Sequence, residues 1–522
     1  MNVLPMATFE APQVHWLSLT PILIVLGGAV LGILVEAFAP AKARRPIVIA
    51  LAVAATCGAG SVLVLRWAPV VAAPTTLGEY IEDPLTIAAQ FVLAVLGFVA
   101  VVVMADRTSV GDGAFAGQPS DRPDSAAEEL TQRHSYQRSE IFPLALFSLG
   151  GMMIFPAADN FVTLFVALEV MSLPLYIMAA TARRRRQLSF EAALKYFVLG
   201  AFSSGFMLMG AALLFGFSNS LRISALGSAI STNTNMDWMV LVGVLSVMVG
   251  LLFKVGAAPF HAWTPDVYTG APTPVTGFMA AAVKVAAFAA MARFYQAVAA
   301  YLQWDFLYVF AAVAVLTILV GTFAGLVQDD VKRMLAYSSI AHAGFILMGI
   351  LAIQKGGTGH VLFYTLGYGL ATVGAFAVVT LVRSCDAEGN ALGEATSLRK
   401  WAGIGRTNPW IAASMLVFLL SFAGIPLTAG FVGKFVIFSD AIAGGVGWLA
   451  IVGLAASAIT AFYYFRLVRL MFFTAPGEET VVVTSEGMSA VAIIVCVLGT
   501  IALGVFPGPV LSLLEKIVIL IP

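Results

Sequence analysis

Long apolar segments alternate with short polar connections along the whole chain. A stretch of about 20 apolar residues is long enough to cross the hydrocarbon core of a bilayer as a helix. Membrane barrels show shorter segments of alternating polarity instead, so this pattern predicts helices. Fourteen such segments, called spans 1 to 14, lie at residues 18–38, 46–66, 85–104, 140–157, 160–180, 189–217, 238–258, 272–300, 305–327, 332–353, 360–383, 409–440, 444–473 and 485–511.

The composition narrows the class of protein. Hydrophobic residues make up 60% and charged residues 11% of the 522 residues, whereas soluble proteins carry about 25% charged residues. We therefore expect an all-α polytopic membrane protein in a lipid bilayer. The net charge of zero excludes the basic surface of a nucleic-acid-binding protein. The three cysteines and five histidines are dispersed, so we expect no disulfide, metal site or cysteine-bound cluster.

Basic residues are distributed unequally between the connections. Nineteen of the 28 lysines and arginines follow odd-numbered spans, and five follow even-numbered spans or precede the C-terminus. Because basic connections stay in the cytoplasm, we expect the odd-numbered connections to be cytoplasmic and both chain termini to be external. Residues 106–139 then form a cytoplasmic loop, and the arginine run at 183–186 is a cytoplasmic anchor.

The other four basic residues lie inside predicted spans, and all four are lysines: Lys195, Lys254, Lys284 and Lys434. Arg293 is assigned to a connection, so no arginine accompanies them. A buried lysine can lose its proton, whereas a guanidinium stays charged at any attainable pH. The choice of lysine indicates groups that exchange protons. Static salt bridges or side chains that reach the interface are the alternative.

One acidic residue lies equally deep: Glu169, midway along FVTLFVALEVMSLPLYIM in span 5. A charge at the bilayer centre costs ~3 kcal/mol or more, so it needs a partner or a hydrated cavity. We expect a switchable pair with Lys254 of span 7. His342, in AYSSIAHAG of span 10, is either a proton relay or a hydrogen-bonded packing residue. Further polar residues near a possible path are Ser338, Ser339, His360, Tyr364 and Tyr368.

Prolines predict breaks in two spans. Pro259 and Pro265 lie at the end of span 7, and Pro426 lies inside span 12. An interior proline removes a backbone hydrogen bond, and broken helices in membranes line cavities. Lys254 precedes the first break and Lys434 follows the second, so each break has a lysine nearby.

The two breaks are five spans apart, which predicts repeats of spans 4–8 and 9–13. A repeat of five helices is odd in number, so its second copy enters the membrane from the opposite side, as in many transporters. The predicted division is residues 1–105 with three spans, the loop 106–139, the first repeat 140–300, the second repeat 301–475, and a C-terminal helix in 476–522.

Several of these segments resemble the antiporter-like membrane subunits of bacterial NADH:quinone oxidoreductase, respiratory complex I. The similarity is carried by FVALEVMSLPLYIM, EAALKYFVLGAFSSG and the long segment FKVGAAPFHAWTPDVYTGAPTPVTGFMAAAVK. KYFVLGAFSSG and WTPDVYTGAPTPV are more similar to the N-type members than to the L and M types, and no long lateral helix follows span 14.

The resemblance implies a fourteen-helix subunit of the bacterial cell membrane with inverted repeats and broken seventh and twelfth helices. It implies that Glu169 pairs with Lys254, that Lys284 continues a hydrophilic axis, and that Lys434 stands at a second half-channel. Partners would be the M and L subunits and the small K and J subunits. The chain itself would bind no cofactor; quinone, FMN and iron–sulfur clusters would belong to partner subunits.

Three other functions stay open from the sequence. Subunits of Mrp-type cation/proton antiporters share this fold, although a sodium site would favour buried acids beyond Glu169. Membrane subunits of related hydrogenase complexes are similar as well. A purely structural scaffold would hold its charges in static ion pairs, and the absence of arginine among the four basic residues inside the spans argues against it.

Overall fold

The computed structural model describes residues 15–108, 114–115, 125–126, 130, 138–182, 186–232, 237–353, 357–388, 391–477 and 479–520, without the side chains of 237, 299–301 and 303–305. Most of the predicted loop 106–139 and three residues of the arginine run at 183–186 lie outside these ranges.

Helices dominate the described part of the chain. They are α1 (Trp16–Phe38), α2 (Ala41–Ala72), α3 (Pro84–Ala105), α4 (Ile141–Ile154), α5 (Phe161–Ala179), α6 (Arg186–Ser218), α7 (Ala225–Thr232), α8 (Asp237–Val255), α9 (Trp263–Gly270), α10 (Thr273–Leu326), α11 (Val331–Leu351), α12 (Thr358–Leu381), α13 (Ile404–Thr407), α14 (Pro409–Ala423), α15 (Ala429–Ala443), α16 (Gly447–Phe473), α17 (Met488–Val505) and α18 (Gly508–Leu514).

Every predicted span coincides with a helix. Among the described residues, twelve helices are long and apolar enough to cross a membrane, and two further apolar helices, Ile141–Ala157 and Pro409–Ala423, are shorter. The class of polytopic α-helical membrane protein is confirmed, whereas the number of fourteen crossings and the inverted repeat stay predictions. Spans 8 and 9 are joined in α10, which kinks at Leu302. Span 14 ends earlier than expected, at Val505, because Pro507 follows.

Side-chain caps explain where several helices begin. Asp83 accepts a hydrogen bond from the backbone N–H of Thr86 at the start of α3, and Asn160 accepts one from Val162 at the start of α5. Asp330 does the same for Arg333 in α11. Such caps satisfy backbone donors that a helix start leaves unpaired.

Short strands occupy some connections, which the sequence did not predict. The strands β1 (Thr75–Leu77) and β2 (Tyr80–Glu82) form an antiparallel hairpin. A three-stranded antiparallel sheet has the order β4–β3–β5, with β3 at Val382–Cys385, β4 at Ala391–Glu394 and β5 at Thr480–Val482. Strands of three or four residues are too short to show a period in the sequence.

Both predicted breaks are present. The helix α8 ends at Val255 and α9 begins at Trp263, with Pro259 between them. The helix α14 ends at Ala423 and α15 begins at Ala429, with Pro426 between them. Gly424 ends α14 in the left-handed conformation, at φ +80°, which glycine adopts without steric cost.

The centre of the molecule is built from a few enclosed helices. The most hydrophobic 18-residue segments of Thr273–Val298, Val331–Leu351 and Thr358–Leu381 are 100%, 94% and 94% buried. The corresponding segments of α1, α2 and α6 are only 33–39% buried, so these helices form the periphery of the protein. Lys284 and His342 therefore lie on the helices most completely covered by protein.

Candidate polar axis

The structure separates the predicted site residues into two groups. Lys254, Lys284 and His342 are each 2% exposed and Lys434 is 5% exposed, so these four are enclosed by protein. We refer to these four residues as the axis. The Lys195 side chain is 41% exposed, and Glu169 is half-buried.

Lys254 lies in the last turn of α8, immediately before the first break. Its ammonium donates to the Ser172 hydroxyl at 2.8 Å and to the Tyr176 hydroxyl at 3.3 Å, both on α5. It also lies over the rings of Tyr176 and Tyr196, 5.4 and 5.5 Å from their centroids. Neutral oxygens and aromatic faces surround this ammonium.

Glu169 lies on the same helix as these partners of Lys254. One carboxylate oxygen, Oε1, is buried without a hydrogen-bond partner among the described residues. Within those residues no ion pair joins Glu169 to Lys254; Ser172, one turn further along α5, holds the ammonium instead. Lys254 of α8 therefore contacts the helix that carries Glu169. Direct pairing of Glu169 with Lys254 stays a prediction.

Lys195 belongs to a partly exposed cluster of charges. Its ammonium lies 2.6 Å from Glu191 and 2.7 Å from Asp266. Asp266, in α9, also pairs with Arg333 at 2.8 Å. These contacts match the static ion-pair interpretation of Lys195 and set it apart from the enclosed lysines.

Lys284 occupies the middle of the axis. Its ammonium donates to the backbone carbonyl of Ser339 in α11 and lies 5.4 Å from the centroid of the Tyr368 ring. The Ser339 hydroxyl is 3.5 Å from the Tyr268 hydroxyl. Lys284 is thus held, like Lys254, by neutral groups.

His342 connects the middle of the axis to two tyrosines. Its Nδ1 lies 2.7 Å from the Tyr364 hydroxyl, and its Nε2 lies 3.4 Å from the Tyr464 hydroxyl. Its ring centroid is 4.9 Å from that of Tyr368, the ring beneath Lys284. Both nitrogens of His342 face hydroxyl groups, an arrangement that a proton relay needs and that a packing histidine also satisfies.

Lys434 binds the end of the broken helix. Its ammonium donates to the carbonyls of Phe422 and Ala423 at 2.8 and 3.1 Å and to the Ser457 hydroxyl at 2.7 Å. Those carbonyls end α14, where the helix dipole is negative. The break at Pro426 therefore creates the acceptors that hold this lysine.

The prediction that no arginine lies within a span is wrong, because Arg293 lies inside one. It is 3% exposed inside the span Thr273–Val298. Its Nη1 and Nη2 donate to the two oxygens of Asp83 at 2.9 and 2.8 Å, and its Nε donates to the Pro156 carbonyl at 2.7 Å. A bidentate carboxylate compensates the buried guanidinium. Asp83 and Pro84 signal the start of α3 in the sequence, but nothing there indicates that Asp83 pairs with Arg293.

Lys332 was also assigned to a connection, and this assignment is wrong. It lies in the first turn of α11 and is 2% exposed. Its ammonium donates to the Ala271 carbonyl at 2.9 Å and lies 3.7 Å from Glu394. Asp330 caps α11 one residue before Val331, so the helix begins earlier than its apolar segment.

The described residues contain no group of three or more His, Cys, Asp and Glu side chains arranged to hold a metal ion. The three cysteines are free thiols. What the described residues offer chemically is a set of lysines, a histidine and hydroxyl groups, all of which are able to bind a proton.

Comparison with known proteins identifies the class. Residues 158–460, more than half of the chain, match the family described as "NADH:quinone oxidoreductase/Mrp antiporter, TM". This range contains all six predicted site residues. The chain is an antiporter-like membrane protein of that class.

Relatives narrow the class to one family. "NADH-quinone oxidoreductase subunit N" of Beutenbergia cavernae is 53% identical over 97% of this chain and 98% of the relative. The protein of that name from Rhodococcus opacus is 45% identical over 98% of this chain and 97% of the relative. The chain belongs to the NADH-quinone oxidoreductase subunit N family.

Solved structures share the fold. A chain of respiratory complex I from Thermus thermophilus is 31% identical, with a TM-score of 0.77 over 95% of this chain and 100% of that chain. A chain of the Mrp complex from Dietzia sp. DQ12-45-1b has the same TM-score at 18% identity, over 96% of this chain and 97% of that chain. The latter likeness concerns the fold alone.

Proposed function

We propose that this chain is the proton-translocating N subunit of an NADH:quinone oxidoreductase in a bacterial cell membrane. The observation that carries the proposal is the row of enclosed proton-binding side chains Lys254, Lys284, His342 and Lys434, each at most 5% exposed. Three are lysines whose hydrogen-bond acceptors are neutral oxygens. The names of the relatives supply the reaction that would drive proton movement.

Neutral acceptors suit a lysine that gains and loses a proton. A carboxylate partner would favour the ammonium strongly and leave an uncompensated charge whenever the proton left. Carbonyl and hydroxyl oxygens bind the ammonium with less preference, and a hydroxyl can donate to the neutral amine. Lys254, Lys284 and Lys434 then alternate between the two forms as charges nearby change.

Polar and aromatic groups extend from Lys284 on two sides. The Tyr268 hydroxyl approaches the Ser339 hydroxyl, on the residue whose carbonyl holds Lys284. Beyond Lys284, Tyr368 contacts His342, and His342 reaches Tyr364. We assign His342 the role of relay between Lys284 and the half of the molecule that contains Lys434.

Glu169 and Lys195 act at the other end in this proposal. Glu169, with an unpaired buried oxygen, attracts the Lys254 ammonium when Ser172 releases it. Its charge favours protonation of Lys254, and separation favours loss of the proton. Lys195 holds Asp266 beside the first break, so it positions α9 and influences Lys254 electrostatically.

We propose both chain termini on the external side and the odd-numbered connections in the cytoplasm. Contacts between connections support alternate crossing, since residues of odd-numbered connections pair with one another, as Thr108 does with Ser485. Even-numbered connections do likewise, as in the pairing of Tyr80 with Ala158. The excess of basic residues in the odd-numbered set supports the direction.

The wider assembly follows from the family. We propose fourteen crossings, with spans 4–8 and 9–13 as inverted repeats within residues 140–300 and 301–475. Partners are the M, L, K and J subunits. Quinone, FMN and iron–sulfur clusters belong to partner subunits, and protons move through this chain in response to quinone reduction elsewhere.

The test is purification of the complex through an affinity tag on this chain, followed by vesicle measurements. We expect copurification of NADH:quinone oxidoreductase subunits and NADH-driven proton uptake into inverted vesicles, insensitive to sodium. Copurification of antiporter or hydrogenase subunits, or uptake that requires sodium, would contradict the proposal.

A further inference from the structure

Three polar residues form a stripe along one face of α12. His360, Tyr364 and Tyr368 are spaced four residues apart, so each lies about one helical turn from the next. The stripe touches the enclosed axis at two points: the Tyr368 ring contacts the His342 ring, and the Tyr364 hydroxyl lies 2.7 Å from His342 Nδ1. The third residue, His360, lies in the first turn of α12, at the other end of the stripe.

His360 pairs there with an acid on another helix. Its Nδ1 lies 2.7 Å from Oδ2 of Asp440, which belongs to α15. The two side chains are 23% and 14% exposed, whereas Lys434, six residues earlier on α15, is 5% exposed. Six residues of helix correspond to about 9 Å of rise. The pair therefore lies between the enclosed axis and the protein surface.

Glycines leave room for this arrangement. A Cβ at Gly433 would collide with the Tyr364 ring, and a Cβ at Gly357 would lie 2.9 Å from the Asp440 carboxylate. The other charged group acting on His360 is Glu515, just after α18. Of these two carboxylates, Asp440 is the one within hydrogen-bond distance of His360.

We propose that His360 and Asp440 form the outer proton-release station of this subunit, supplied from His342 through Tyr364. The inference rests on the proposed function and adds to it where protons leave the axis. A histidine whose Nδ1–H donates to a carboxylate keeps Nε2 as a proton acceptor. The imidazolium that forms is stabilised by Asp440 until its proton passes to water.

Each step moves one proton. The protonated His342 ring gives its Nδ1 proton to the Tyr364 oxygen and becomes neutral. The Tyr364 hydroxyl proton passes to His360 Nε2, and Tyr364 remains neutral. One helical turn, about 6 Å of rise, separates Tyr364 from His360. In this proposal a water molecule carries the proton between the two side chains. His360 then releases a proton to the external solution and returns to the neutral form.

The alternative role of the His360–Asp440 pair is a static tie, that is, a structural ion pair that only holds α12 against α15. Two substitutions distinguish this role from a proton relay. His360→Arg keeps a cation against Asp440 but cannot give up its proton. His360→Gln keeps a neutral hydrogen-bonding side chain of similar length but cannot carry a proton. A static tie predicts normal pumping in His360→Arg, whereas a relay predicts loss in both variants.

The experiment measures NADH-driven proton uptake in inverted vesicles, with assembly checked by native gel. We expect uptake at least about tenfold below wild type in His360→Gln and His360→Arg, since a positioned proton-transfer group contributes ~10²–10⁴-fold. Asp440→Asn should fall with them, and Asp440→Glu should retain more uptake than Asp440→Asn. If His360→Arg fails to assemble, His360→Gln decides.

The matched control is His15→Gln. His15 is exposed at the start of α1, away from the stripe, so this variant should pump as wild type does. Wild-type uptake in assembled His360→Gln would overturn the inference. If Lys284→Met abolishes uptake in the same assay while His360→Gln retains it, only the release station fails. If Lys284→Met also pumps normally, the proposed function fails.

Discussion

Arg293 and the two lysines Lys284 and Lys434 are buried cations, and their partners differ in charge. Arg293 is held by both oxygens of Asp83 and by the Pro156 carbonyl. Lys284 and Lys434 are held by backbone carbonyls and, for Lys434, by the Ser457 hydroxyl. Of these three residues, the arginine, which keeps its charge permanently, has a carboxylate partner, and the two lysines, which can lose a proton, have neutral oxygens.

This difference indicates different tasks. The Arg293–Asp83 pair ties α10 to the start of α3, and the same carboxylate accepts the backbone N–H of Leu520 near the C-terminus. It joins three distant parts of the chain, as a permanent ion pair can. The lysine sites have no carboxylate among the acceptors named above, so they leave the protonation state open. Lys195, with two carboxylate partners, resembles Arg293 more than it resembles Lys284.

The largest effect is expected from Arg293→Met. It leaves the Asp83 carboxylate enclosed without its cation, and breaking a buried ion pair from one side costs about 3–5 kcal/mol. We expect little assembled complex on a native gel. The double variant Arg293→Met/Asp83→Asn removes both charges and should recover part of the assembly. Wild-type assembly of the single variant would show that the pair is not structural.

Lys284→Met should show the opposite profile. The methionine fills similar space and leaves neutral partners behind, so the complex should assemble. Proton uptake in inverted vesicles should fall at least about tenfold. Lys516→Met, at an exposed lysine, is the matched control. The contrast between fixed and exchangeable cations collapses if Lys284→Met loses assembly as Arg293→Met does.

Gly424→Ala tests the geometry of the Lys434 site. An alanine at φ +80° costs about 1–2 kcal/mol, and its Cβ would lie 2.9 Å from Cδ of Lys434. We expect a moderate loss of uptake in an assembled complex. Gly445→Ala has the same backbone strain, at φ +82°, but no atom within 4 Å of the added Cβ. Equal uptake in the two variants would show that the contact with Lys434 is unimportant.

The smallest effect is expected from Lys195→Arg. An arginine keeps both ion pairs with Glu191 and Asp266, and partly exposed pairs contribute only ~1 kcal/mol or less. Uptake should stay close to the wild-type rate, while Lys195→Ala should reduce it. A strong defect in Lys195→Arg would place Lys195 with the proton-exchanging lysines.

The sequence was most informative where a local property determines the structure. Apolar length located the helices, and Pro259 and Pro426 located the two breaks. Burial of a charge is not local, because it depends on a partner elsewhere. Asp83 lies 210 residues from Arg293 in the chain, and a single sequence contains no signal that pairs them.

The candidate site shows the same limit. The four lysines and Glu169 were identified by charge inside apolar segments, but their surroundings were not. Ser172 and Tyr176 hold Lys254, and Ser457 holds Lys434. Hydroxyl residues are common in membrane helices. Which of them bind the lysines is decided by how the helices pack, and the sequence alone does not show it.

The most direct test of proton exchange at the lysine sites is proton uptake by an assembled Lys434→Arg complex. Uptake in inverted vesicles is driven by NADH, and quinone reduction is followed in parallel. Arginine preserves a positive charge of similar reach against the carbonyls that end α14, but its pKa above ~12 prevents deprotonation. We predict an assembled complex that pumps poorly, with Lys434→Ala no worse than Lys434→Arg. Wild-type uptake in Lys434→Arg would contradict the account, since Lys434 would then serve as a fixed charge.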